Sequence, residues 1–109
     1  MAKNKITVKE RNKISILLIS DITHITCSGY LSTIHTICGK RINVAKPLKE
    51  YENELSEFDF IRINHCTLVN FQYVTAVQLG KLRTLLVNNT SLKISRRKMQ
   101  IVTKFLKNN

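Results

Sequence analysis

The sequence has no tryptophan, one proline and only three glycines. So few chain breakers exclude a low-complexity or disordered polymer. Aromatics make up 6% of the chain, so the core has to come from Ile, Leu and Val. Long hydrophobic runs are missing too. The longest clearly apolar stretch, Ile14 to Ile19, falls far short of the ~20 residues that cross a bilayer. No apolar run follows the N-terminal lysines, so nothing reads as a signal peptide. The expectation is a soluble, cytoplasmic protein with no membrane partner. The cysteines, Cys27, Cys38 and Cys66, are odd in number and widely spaced, which excludes a disulfide framework.

Acids are scarce and badly distributed. Seven stand against eighteen Lys and Arg, a net charge of +11. Five of the seven, Glu50, Glu52, Glu54, Glu57 and Asp59, share one ten-residue window without a cation, so the rest of the chain carries +16. A basic body with one acidic element suits a polyanionic partner, because phosphate neutralisation releases counterions. Charge alone leaves open a basic protein with no nucleic-acid partner, or a binder of acidic membrane. At 109 residues and 43% apolar, the chain can bury one core and is expected to be a single domain over 1–109. A basic N-terminal segment covers 1–12 and the core about 14–106.

The apolar patterning is mostly that of strands. Ile6 and Val8 permit a first one. Lys13–Ser20 is β-branched and apolar, which predicts a buried strand. Ile22–Cys27 and Tyr30–Ile37 read as a hairpin with Gly29 at the turn. Cys38-Gly39-Lys40 turns again before a strand over Arg41–Ala45. Pro47 suits a first helical turn, and Leu48, Tyr51, Leu55 and Phe58 then fall on one helical face. The acids lie mainly off that face, and the helix is expected to point away from any phosphate. Phe60–Ile63 is a strand with Phe60 and Arg62 on one face and Ile61 and Ile63 on the other. Leu68–Phe71, Tyr73–Leu79, Leu82–Val87 and Leu92–Ile94 follow as strands, with turn signals at Gly80-Lys81 and Asn88-Asn89. Met99, Val102, Phe105 and Leu106 sit at helical spacing over Lys98–Lys107, a stripe for core packing. The sum is a mainly β fold of roughly nine or ten short strands and two helices.

Two His-x-x-Cys pairs, His24/Cys27 and His35/Cys38, raise the question of zinc. On a strand that spacing sends the two side chains to opposite faces, so no metal and no cofactor is expected. Buried free thiols are the plainer reading. For an enzyme, the carboxylates crowd one helix without a histidine at catalytic spacing, and no Ser or Cys has a readable base partner.

Three polar knots remain: Ser28-Gly29-Tyr30, Asn64-His65-Cys66-Thr67 and Ile94-Ser95-Arg96-Arg97-Lys98. In the second, Ile63, Leu68 and Val69 anchor the loop and Asn70 can fix a turn through its amide. That leaves Asn64, His65 and Thr67 to project. Arg62 either contacts phosphate or pairs with Glu57 or Asp59. Arg96 can bond guanine bidentately, worth about 1–3 kcal/mol of discrimination, and Asn can do the same to adenine. Lys93, Arg97 and Lys98 suit phosphates, which position without specifying. Tyr30 either contacts DNA or packs across its hairpin.

The segment Phe60-x-Arg62-Ile63-x-x-x-x-Leu68-Val69-Asn70 resembles the core signature of LytTR DNA-binding domains, the output domains of LytR/AgrA-type bacterial response regulators. Leu92-Lys93-Ile94-Ser95-Arg96-Arg97 resembles that family's C-terminal "ISR" segment, and the likeness runs over about Ile14 to Leu106. It implies an elongated all-β sandwich of about ten strands in three sheets, with loops that enter successive major grooves and bend the DNA. It further implies contacts from Tyr30, from Asn64 and His65, and from Arg96 with Ser95 and Arg97 beside it. The partner would be double-stranded DNA with promoter repeats, with dimerisation on DNA left open and no small-molecule substrate. Where the family often carries His-Arg-Ser or a similar basic triplet, this chain has Asn64-His65-Cys66, which implies a weaker phosphate contact or a different base preference. With no receiver or membrane segment in view, a stand-alone regulator or an excised domain is expected. The rival reading is a non-catalytic β module whose basic face binds an acidic protein.

Overall fold

The computed structural model of the chain describes residues 4–80, 84–87 and 89–108 (for 84–86, the backbone alone). Lys5–Lys9 (β1) and Ile14–Leu18 (β2) form an antiparallel hairpin, a two-stranded sheet of its own. Ile6, Val8 and Leu17 pack inward on the core. Strand alternation then turns the other set outward. Ile14 and Ile16 are 68% and 66% exposed, so the expected buried strand over Lys13–Ser20 is buried on one face only. Composition marked the strand correctly. It could not show that the hairpin is an outer layer.

The central layer is a five-stranded antiparallel sheet. Its strands are β3 (Ile22–Ser28), β4 (Leu31–Thr36), β5 (Arg41–Val44), β6 (Phe60–Asn64) and β7 (Thr67–Asn70), in the order β5-β4-β3-β7-β6. Gly29, with φ 61°, takes the left-handed conformation that the β3–β4 turn needs. The predicted strand over Tyr30–Ile37 is shorter at both ends, leaving Tyr30 and Ile37 in turns. One face of the sheet presents Ile25, Ile34, Ile42, Phe60 and Leu68 to a first core, shared with the β1–β2 hairpin and with α1 (Leu48–Glu54). Leu48, Tyr51 and Leu55 are buried there as the helical spacing predicts, each contributing roughly 1.5–3 kcal/mol. Pro47, with φ −64°, starts the helix. Phe58, predicted on the same helical face, instead falls in a separate 3-10 turn over Ser56–Phe58 and is half-buried.

The other face carries Ile61, Ile63 and Val69 into a second core with Val87, Ile94 and Val102. It is covered by α2 (after the next strands) and by a three-stranded sheet of β8 (Val74–Gln78), β9 (Thr84–Val87) and β10 (Thr90–Lys93). The helix α2 (Met99–Asn108) packs Met99, Val102 and Phe105 inward, while Leu106, expected in the stripe, is 41% exposed. The predicted break between Leu68–Phe71 and Tyr73–Leu79 is a 3-10 turn over Phe71–Tyr73. Residues 82 and 83 of the predicted strand Leu82–Val87, and the turn residues Lys81 and Asn88, lie outside the described residues. Among the described residues, ten strands in sheets of two, three and five thus stack around the central layer, in a body of 44 × 29 × 24 Å.

Candidate nucleic-acid interface

Two hairpin tips project from the same end of the central sheet. The backbone N–H of Cys27, near the end of β3, donates to the carbonyl of Cys66 in the β6–β7 turn at 3.0 Å. Beyond Cys27 the chain turns through Ser28, Gly29 and Tyr30. Tyr30 is 82% exposed and Leu31 follows at 57%. An exposure of that size excludes the reading of Tyr30 as an aromatic packed across its hairpin.

The β6–β7 tip is stitched by its own side chains. Asn64 Oδ1 accepts the Cys66 N–H at 2.8 Å, closing the turn, and Asn64 Nδ2 donates to the Lys93 carbonyl at 2.6 Å. Each end of that amide therefore holds the tip in place, with one N–H and one oxygen lone pair left over. Arg62 Nη2 donates to the His65 carbonyl at 2.6 Å, and Arg62 Nη1 pairs with Glu52 Oε1 at 3.1 Å. The expected partners, Glu57 and Asp59, are not the ones used. Glu52 lies on α1, which packs alongside β6, whereas Asp59 sits in a left-handed turn (φ 61°) just before the strand. Thr67, expected to project, is 6% exposed and faces Thr26 across the sheet. What remains outward at this tip is the exposed side chain of His65.

The third knot is brought to the same place by the end of β6. Ser95 N–H donates to the Ile63 carbonyl at 2.8 Å. From there a 3-10 turn over Arg96–Lys98 runs directly into α2. Arg96 and Arg97 are exposed, as is Lys93, and Lys98 is half-buried. Among the described residues none of these four forms an ion pair. A shallow cleft of about 520 Å³ gathers the predicted Asn64, His65, Ser95, Arg97 and Lys98. It also contains Lys49, Glu52 and Arg62. Tyr30, Lys93 and Arg96 lie outside its lining, around the same end. The acidic helix, expected to turn away, therefore places Glu52 at the cleft, where it neutralises Arg62. Lys49 was missed by the sequence. The one available signal was its spacing from Glu52, which puts both on one helical face.

The histidines of the two His-x-x-Cys pairs do something else. His24 and His35 oppose each other on β3 and β4 and stack, with ring centroids 4.1 Å apart and 5° between planes. Thr23 Oγ1 lies 2.9 Å from His24 Nδ1, and Thr26 Oγ1 lies 3.0 Å from His35 Nε2. Burial, and then the neighbouring His35, push the pKa of His24 down to about 4. Burial, and then Arg41, lower that of His35. Cys27 packs on the first core, on the other face from His24, and Cys38 lies in the β4–β5 turn against the Thr36 hydroxyl at 3.3 Å. Among the described residues no group of three His, Cys, Asp or Glu side chains could hold a metal ion.

The model of the LytTr DNA-binding domain family matches residues 12–107, which include all three knots. The chain belongs to the LytTR family of DNA-binding domains. LytTR domains are DNA-binding output domains of response regulators, so the likeness seen in the Phe60–Asn70 and Leu92–Arg97 segments reflects membership. Among solved structures, one described as the LytTr DNA-binding domain of a methyl-accepting/DNA response regulator from Bacillus cereus superposes with a TM-score of 0.80. It is 18% identical, and the match covers 96% of this chain and 98% of that one. At that identity the similarity establishes the LytTR fold alone. No curated protein matches this chain. Among the described residues no helix is long and apolar enough to cross a membrane.

Proposed function

We propose that this LytTR domain binds double-stranded DNA sequence-specifically, inserting its tips in the major groove, and so regulates transcription in the cytoplasm without performing a reaction. The observation that carries this reading is the convergence of three separate chain segments on one end. There they present an exposed aromatic, a histidine and cations that form no ion pair among the described residues. Arg96 has the fork geometry to read guanine, and His65 contacts a base or a phosphate. Lys93, Arg97 and Lys98 hold phosphates, and Ser95 offers a hydroxyl beside them. Asn64 positions the tip through both ends of its amide and still has one N–H and one oxygen lone pair to offer a base. Tyr30 supports the contact from the neighbouring tip. Promoter repeats, and pairs of copies on them, fit a reader of this size.

The decisive measurement is a titration of Arg96→Ala on a selected target site and on random duplex. Specific binding should weaken by about 1–3 kcal/mol and non-specific binding far less. Equal loss on both would leave Arg96 a phosphate contact. Absence of any shifted complex with the unaltered protein would favour the rival reading of an acidic protein partner.

A further inference from the structure

Cys27 and Cys66 stand directly opposite each other beneath the two tips. The register of β3 against β7, His24 with Val69, Ile25 with Leu68 and Thr26 with Thr67, continues by one step to this pair. The N–H of Cys27 bonds the Cys66 carbonyl at 3.0 Å. Opposed residues of antiparallel strands send their side chains to the same face. Here it is the face of Ile25 and Leu68, at the rim of the first core. Both residues are half-buried, so small oxidants can reach them. Cys27 Sγ donates to the carbonyl of His65, 3.9 Å away. Opposed residues of antiparallel strands hold their Cα atoms about 4.5–5.5 Å apart, inside the range of about 4.4–6.8 Å that disulfides span. Cys38 lies in the β4–β5 turn, at the other end of the sheet from the β3–β4 turn, and does not compete.

We propose that Cys27 and Cys66 form a reversible disulfide in response to peroxide, and that this bond weakens DNA binding by tying the two tips together. The second half rests on the DNA-binding reading above. The Cys66 thiolate attacks one peroxide oxygen and the O–O bond breaks. The hydroxide released takes up the proton Cys66 had lost and leaves as water, and Cys66 is now a sulfenic acid. Cys27 sulfur then displaces the sulfenic hydroxyl, which leaves as a second water with the Cys27 proton. Two thiols have given up two electrons and the peroxide has accepted them. Burial, then the Cys66 thiol beside it, raises the pKa of Cys27, which suits Cys27 to the resolving role. Opposed Cβ atoms lie about 4.5–5.5 Å apart, whereas a disulfide needs about 3.8 Å. Closing the bond therefore drags the base of the His65 tip toward β3 and displaces it from Tyr30. A bond strained in this way is readily reduced, which makes it reversible.

The test uses the chain with Cys38→Ser, so that two thiols remain, treated with hydrogen peroxide and then with dithiothreitol. Peptide mapping should recover Cys27 linked to Cys66 within one chain, with loss of both titratable thiols. DNA affinity, measured on the same samples, should fall on the order of tenfold and return on reduction. Cys27→Ser in that background should keep its affinity under peroxide. Two free thiols after treatment, or a sulfinic acid without a cross-link, would overturn the proposal. So would a mapped disulfide with unchanged affinity. Failure of the reduced chain to bind any DNA would instead sink the DNA-binding reading, while mapping still decides whether the bond forms.

Discussion

Asn70 shows what a single residue contributes and how much of that a sequence reveals. Its Oδ1 caps the turn after β7 by accepting the Gln72 N–H at 3.1 Å, and that role was legible because it reaches only two residues along the chain. Its Nδ2 also donates to the Ile22 carbonyl at 2.9 Å, across 48 residues, and nothing local announces such a bond. Arg62 repeats the lesson: its charge called for a carboxylate, but only the packing of α1 on β6 decides that Glu52 supplies it. Asn70 is 2% exposed, so Asn70→Ala strands a buried acceptor and a donor. We expect a loss of about 2–4 kcal/mol in unfolding free energy by urea titration, with the denaturant slope unchanged. A loss near zero would mean that water replaces both bonds.

At the scale of elements, periodicity carried most of the reading. The two-residue repeat of β6 sends Phe60 to one core and Ile61 and Ile63 to the other, as expected. Burial of β2 was not legible, because alternation does not say whether a second layer lies over the outer face. The stacking of His24 on His35 depends on the β3–β4 register, which a one-residue slip would abolish. The pair gives the hairpin a pH dependence. A histidine whose folded pKa lies below its ordinary value favours the neutral form in the fold. Its stabilising share is complete above pH 6.5 and is lost as pH falls toward about 4. His35 shifts in the same direction, with Arg41 opposite it on β5 also disfavouring protonation. At about 1.4 kcal/mol per unit, discounted for water reaching the open side of the pair, the loss is roughly 2 kcal/mol. Urea midpoints followed across this window should therefore drop more steeply in the unaltered chain than in His24→Gln. Parallel curves would show that the stack is not a source of the slope, since carboxylate titration is common to both.

For the whole molecule, the charge asymmetry of the sequence becomes a geometry. The acidic window folds into α1 and the turns after it, and only Glu52 of that group reaches the cleft, where it cancels Arg62. The family, the β class and the three knots were legible because they rest on local pattern and motif order. That the three knots share one working surface was expected; the contacts that bring them to one end were not legible, because they follow from the β5-β4-β3-β7-β6 strand order and from the Ser95-to-Ile63 bond. Lys93, Arg97 and Lys98 remain without ion-pair partners among the described residues, and each can displace a counterion from DNA. Three such contacts predict a slope of about −2.7 in a plot of log affinity against log salt concentration, at about −0.9 per phosphate. Arg97→Ala and Lys98→Ala should each flatten it by about one while weakening all sequences alike. Glu52→Gln should steepen it, because Arg62 then becomes a free cation facing the phosphates. A slope near zero for the unaltered chain would mean that its basic surface does not meet the DNA backbone at all.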